Sequence, residues 1–227
     1  VYTYNSLADF YAAVNGQPVT LRRYQLAYVN LPGLDKPLQQ LDVWYTGFYG
    51  QDQWRLRKNL TLTAGLRIDT PNFKDTASQF DNPNADKLTF RDENGQLVQY
   101  NSGKLPDSKP LWSPRLGFNW DLKGDQSTQL RGGTGIFTGK PAYVWISNQL
   151  GNTGTLLGRI DESNTTARPF NADPDAYRPS VSGKPAGSYE LDVTDPNFKF
   201  PQTWRSNVAV DRKLPWGMIG TAEYLFN

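Results

Sequence analysis

The 227-residue chain contains no cysteine, no histidine and a single methionine. Without cysteine there is no disulfide framework and no thiolate metal site, and the redox compartment leaves no mark. Without histidine the usual zinc constellations, and every Ser–His or Cys–His catalytic pair, are excluded within this sequence. A strong charge of either sign is also missing. The 24 basic and 22 acidic residues leave a net +2, and no Lys/Arg run makes a phosphate-binding patch, so nucleic acid is not an expected partner. No stretch approaches the roughly 18 apolar residues that a spanning helix needs. The sequence opens at Val1 without an initiator Met or a basic-then-apolar leader; the expectation is that any export signal lies upstream or has been removed.

What is present is aromatic. Only 37% of residues are hydrophobic and mean hydropathy is −0.63, yet seven Trp, twelve Tyr and eleven Phe make up 13% of the chain. Disordered chains are usually poor in aromatics. Strands that alternate apolar with polar residues and gather aromatics at a membrane boundary reconcile low hydropathy with many rings. An aromatic-rich soluble β-domain reconciles them equally well. Sixteen Pro and twenty Gly suit many turns better than long helices.

Periodicity locates the strands. In Leu60 to Asp69, the residues Leu60, Leu62, Ala64, Leu66 and Ile68 fall on one face and Thr61, Thr63, Gly65, Arg67 and Asp69 on the other. The same period sets Leu116, Phe118, Trp120 and Leu122 against Arg115, Gly117, Asn119 and Asp121. It recurs more weakly over Gln129–Phe137, where Leu130 and Ile136 oppose Gln129 and Arg131. Over Leu41–Leu56, Trp44, Phe48 and Trp54 oppose Gln51, Gln53 and Arg55, with Asp52 as an exception on the apolar side. Trp204–Asp211 and Met218–Phe226 add two more strands, the second presenting Tyr224 on its apolar side and Glu223 on its polar side. A less regular strand is predicted over Val19–Tyr28, and a short helix over Ser6–Ala13 with Ser6 as its N-cap.

Connections come in two sorts. Arg57–Asn59, Lys123–Gln126 and Leu214–Trp216 read as tight hairpin turns. They alternate with long segments, 70–110 and 140–201, rich in Pro, Gly, Asn and Asp and poor in sustained periodicity. Loops much beyond about 15 residues are uncommon in compact soluble domains. Short turns on one rim and long loops on the other, joining strands of about 9–12 residues, are the pattern of an antiparallel transmembrane β-barrel. The expectation is all-β: residues 1–227 as part of an outer-membrane barrel contributing about seven strands, with 70–110 and 140–201 as extracellular loops. Seven strands would leave two unpaired edges in lipid, so the chain is expected to be a fragment of a larger barrel.

Several motifs then carry a resemblance. Phe48–Leu56, followed by Lys58–Leu62 and Gly65–Arg67, resembles a hairpin of TonB-dependent outer-membrane receptors, in particular the Oar-like ones. Ser113–Phe118, Leu130–Phe137, Phe200–Trp204 and the opening Ser6–Phe10 are similar to later and earlier segments of the same family, in the same order. The resemblance implies a barrel of about 22 strands around a plug, importing scarce nutrients with energy delivered by TonB. TonB itself would act through parts absent from this chain. Membrane lipid is the immediate partner on this reading, and neither a cofactor nor catalysis is expected. Two rivals are a structural or adhesive outer-membrane barrel working with other outer-membrane subunits, and a soluble carbohydrate-binding β-sandwich.

Candidate functional residues follow from the faces. Arg67, Asp69, Arg115, Asn119, Asp121, Arg131, Arg205, Asp211 and Glu223 are expected on the lumen side, either as a positively charged lining for anions or a plug, or as an ordinary solvated and ion-paired wall. Trp44, Trp54, Trp120, Trp204, Trp216 and Tyr224 are the candidates for anchoring at the membrane interface, with sugar stacking as the other reading. The loop pairs Asp161 with Glu162, Asp173 with Asp175 and Asp192 with Asp195 lack EF-hand spacing and read as solvated charges rather than a Ca²⁺ site. Gly132, Gly133 and Gly135 do not make a phosphate loop, because a strand and not a helix follows them.

Overall fold

Backbone groups exposed along an extended segment must find partners, and in this chain the alternating segments find them in one another. A computed structural model describes every residue except Asp35 and Ser182. Its elements are, in chain order, β1 (Tyr2–Thr3), α1 (Leu7–Val14), β2 (Leu21–Val29), β3 (Val43–Arg57), β4 (Leu60–Phe73), β5 (Phe90–Arg91), β6 (Leu97–Val98), β7 (Leu111–Asp121), β8 (Thr128–Thr138), α2 (Tyr143–Gly151), β9 (Leu157–Thr165), β10 (Gln202–Lys213) and β11 (Ile219–Phe226). They fall into two compact units: residues 1–42, 75–106 and 143–196 in the first, and 43–74, 107–142 and 197–227 in the second.

The second unit is a six-stranded antiparallel sheet in the order β11-β10-β8-β7-β4-β3. Its register keeps the two side-chain sets apart from edge to edge. One row runs Trp54, Leu62, Phe118, Gly132, Val208, Tyr224, and the next runs Arg55, Thr61, Asn119, Arg131, Ala209, Glu223 on the opposite face. A slip of one residue in any strand would exchange its two sets, so the apolar pattern fixes the pairing. Among the described residues this sheet is open, with β3 and β11 at its edges.

Three short turns join strands at one end of the sheet and bond to one another. Asn59 Nδ2 donates to Asp121 O at 2.7 Å, and the Lys213 amide donates to Ser127 O at 2.9 Å. The Asp121 carboxylate accepts from the Gly124 and Gln126 amides at 3.0 and 2.8 Å, which steadies Gln126 at a φ of 59°. Inside the sheet, β7 carries Pro114, which has no N–H for a ladder. Pairing of β7 with β8 stops at Arg115–Gly135, one residue short of the proline, whereas β7–β4 and β8–β10 run on past that level. Side chains bridge the resulting fork: Gln202 Nε2 donates to Trp112 O and Thr138 Oγ1, both at 3.0 Å, and the Ser113 and Thr138 hydroxyls bond at 2.9 Å.

The first unit holds the segments between the hairpins. α1 is capped by Ser6, whose Oγ accepts the Asp9 amide at 3.1 Å as expected for an N-cap serine. The irregular strand predicted over 19–28 forms β2, but it pairs with β1 and β9 in a separate three-stranded sheet, so six and not seven strands share the main sheet. Its buried residues Leu21, Tyr24 and Val29 do not follow a period of two, and so cannot supply one apolar face. The segments expected as irregular loops also contain structure: the small β5–β6 hairpin, α2 and β9. Ile146, Leu150 and Leu156 are fully buried there, and Asn82, Ser102, Gln149 and Thr153 are buried with their polar atoms bonded. Among the described residues no helix is long and apolar enough to cross a membrane.

Candidate functional site

The two faces of the main sheet differ in what they need. On one, large apolar side chains stand uncovered: Phe48 is 74% exposed, Leu116 61% and Trp204 62%. Trp44, Trp54, Trp112, Trp120 and Tyr224 share this face by register. Trp44, Trp112 and Trp204 lie toward the strand ends away from the tight turns, and Trp54 and Trp120 toward the turns. Trp204 is the best anchored, its indole N–H donating to Thr134 Oγ1 at 2.8 Å and its ring meeting Phe226 edge-on at 6.5 Å. Trp216 is different. It sits in the turn between β10 and β11 with a φ of 63° and is 91% exposed. An uncovered apolar sheet of this size is unstable in water and stable against hydrocarbon.

The opposite face is polar and largely self-neutralised. Arg67 grips Asp69, two residues along the same strand, through three hydrogen bonds of 2.8–3.0 Å, and Asp69 is 1% exposed. Arg131 Nε bonds Asp211 at 2.8 Å, and its terminal nitrogen lies 3.9 Å from Glu223. Glu223 also accepts from Asn207, and Asp211 accepts from Thr221. Asn119 accepts from Gln129, and Arg205 Nε donates to Asn227 at 2.7 Å. Arg115 lies over the Phe137 ring, 4.6 Å from its centroid. Asp121 stands apart from this network because its carboxylate is used by the turn beside it.

Sequence reading grouped these charged residues on one face but did not find who pairs with whom, nor the glycines that make room for them. Gly65, Gly117, Gly133 and Gly135 lie on the polar face and leave a floor bare of side chains between the ion pairs. It also missed an aromatic cluster on the same unit, where Tyr45 stacks on Phe200 at 6.0 Å, Phe73 meets Phe200 at 6.2 Å, and Lys140 lies 4.7 Å from the Tyr45 ring. A tyrosine at 45 in the polar phase of β3 was the available signal.

In the first unit the loop carboxylates are committed singly. Asp161 accepts from Arg23 at 2.6 and 2.7 Å, and Glu162 from Arg168 at 2.7 Å. The hydrogen bond from Arg23 holds the Asp161 carboxyl below the usual carboxylate range, and that from Arg168 does the same for Glu162. Asp173 accepts the Asp175 amide at 2.9 Å, and Asp192 accepts from Asn152 at 2.6 Å. Among the described residues no three acidic side chains gather as they would around a metal ion.

No curated protein and no solved structure matches this chain. A family model does, and it overturns the soluble carbohydrate-binding sandwich, whose location would be wrong. Domains of this kind are generally non-enzymatic. The model described as outer membrane beta barrel domain covers residues 4–227, the sheet with its uncovered apolar face included, and the chain therefore belongs to that family and resides in the bacterial outer membrane.

Proposed function

We propose that this chain forms part of the wall of a TonB-dependent outer-membrane transporter that imports a nutrient ligand without catalysing its conversion. The apolar face meets lipid, and the polar face lines a water-filled interior. The observation that carries the reading is the segregation of apolar from polar side chains across six strands, with exceptions such as Asp52 and Phe137, joined to the order of motifs resembling TonB-dependent receptors. On this reading the 75–106 and 143–196 segments, which join strands at the ends opposite the tight turns, are the extracellular connections and the ligand-capturing ones. TonB acts through parts of the protein outside this chain.

The test is uptake. The full-length protein, expressed in cells with and without a functional TonB system, should support growth on at least one scarce nutrient only when TonB is present. Absence of any TonB-dependent uptake would sink the proposal. The rival reading, a structural or adhesive barrel, is favoured by the hydrogen-bonded order of the outer segments around Asn82, Gln149 and Thr153. Deleting residues 143–196 separates the two: loss of uptake with surface attachment unchanged supports transport, and the converse supports adhesion.

A further inference from the structure

The arginines of the polar face are not equivalent, and four of them stand on the inner strands while Arg55 stands on the edge strand β3. Arg67 and Arg131 have carboxylate partners, at Asp69 and at Asp211 with Glu223. Arg115 and Arg205 have none among the described residues. Arg115 makes its contact through the ring of Phe137, which leaves the in-plane N–H donors of the guanidinium uncommitted. Arg205 commits Nε to Asn227 and has its two terminal nitrogens left over.

Their placement is as specific as their lack of partners. Arg115, Gly135 and Arg205 occupy one register row on adjacent strands, so the two arginines flank a glycine. Two strand spacings separate their backbones by about 10 Å, a gap that two long side chains can close on a ligand between them. Gly65 continues the row on the other side of Arg115, and Gly117 and Gly133 border it on the next row of that face. A Cβ at position 135 would stand 3.0 Å from Arg115 Cγ and from Pro114 O, so any larger residue there would crowd the Arg115 stem. The polar-face neighbours along the strands are Ser113, Thr203 and Asn207, none of them acidic.

From this geometry we infer that Arg115 and Arg205 form a binding site for a small dicarboxylate solute, one carboxylate for each guanidinium, above the bare floor around Gly135. Guanidinium forks match carboxylates in plane, and two neighbouring guanidinium groups without carboxylate partners favour an anion with two matching groups. The inference rests on the reading that this face lines an aqueous interior, and it names the chemistry of a ligand for it.

The experiment uses the full-length protein in lipid nanodiscs, titrated calorimetrically with succinate, and with neutral succinamide as the control. Wild type should bind succinate saturably and succinamide not at all. R115Q/R205Q should bind about tenfold more weakly or worse, while R57Q, at the end of β3 beside the tight turn, should match wild type. Should the double variant fail to assemble, R115K and R205K each decide the matter. Both keep the charge and lose the planar fork, and each should weaken succinate binding several-fold. No saturable binding by wild type, or unchanged affinity in the folded variants, overturns the site. Succinate binding in a protein without TonB-dependent uptake removes the transport reading and keeps the site. TonB-dependent uptake without succinate binding does the reverse.

Discussion

Gly47 lies directly across the β3–β4 ladder from Asp69, and the point where its Cβ would stand is 2.6 Å from both the Asp69 carboxylate and the Arg67 guanidinium. The ion pair therefore occupies space that any other residue at 47 would fill. Gly47→Ala should displace Arg67 from a buried carboxylate and cost about 2 kcal/mol or more in urea-driven unfolding from lipid vesicles. Gly50→Ala is the control on the same strand. Nothing lies within 4 Å of its added Cβ, and its effect should stay within about 0.5 kcal/mol.

The two sheet faces make a depth-dependent prediction. Leu116 sits at the centre of β7 on the apolar face, whereas Trp44 sits near the start of β3. Leu116→Arg should destabilise the vesicle-inserted protein by about 2–4 kcal/mol and Trp44→Arg by about 1 kcal/mol or less. Equal costs at the two positions would contradict a lipid-facing surface.

Acid should loosen the first unit. The Asp161 and Glu162 carboxyls are both held below their ordinary range by hydrogen bonds from arginine. A depressed carboxylate contributes stability that is fully present above its unfolded pKa and is lost as pH falls through the folded one. Protease resistance of the first unit should thus be flat from pH 7 to about 5 and fall below about 4. In Asp161→Asn that acid limb should be shallower and resistance at pH 7 lower.

Asp121 gives a fourth test. Because its carboxylate accepts two turn amides, Asp121→Ala should cost about 1–2 kcal/mol while leaving succinate binding at wild-type strength. A lumenal binding role for Asp121 would show as lost affinity without lost stability.

How far the sequence could be read depended on what held each element. The faces of β4 and β7 were legible from Leu60 to Ile68 and from Leu116 to Trp120, because a period of two on an apolar face has one geometric solution. β9 was not. Leu157–Thr165 carries Arg159, Asp161 and Glu162 and is held to β2 by the Arg23–Asp161 pair, which leaves no hydrophobic rhythm to detect. The helix cap at Ser6 was visible because the signal is local. The charged residues were grouped correctly by face, yet the pairing of Arg131 with Asp211, 80 positions away, depends on strand order that alternation does not encode. For Gly133 and Gly135 the sequence shows only that they do not make a phosphate loop, and the use of polar-face glycines as space for arginine stems emerges once neighbouring strands are in register.

The proline in β7 has a mechanical meaning. A wall zipped uniformly along its length resists bending equally everywhere, but here the zipper between β7 and β8 stops beside Pro114, and side chains from Gln202, Ser113 and Thr138 close the rest. Side-chain bridges break and reform far more readily than a run of paired amides. The fork is a notch, and wherever the sheet flexes, the three-stranded halves on either side of it should move as two leaves about that line.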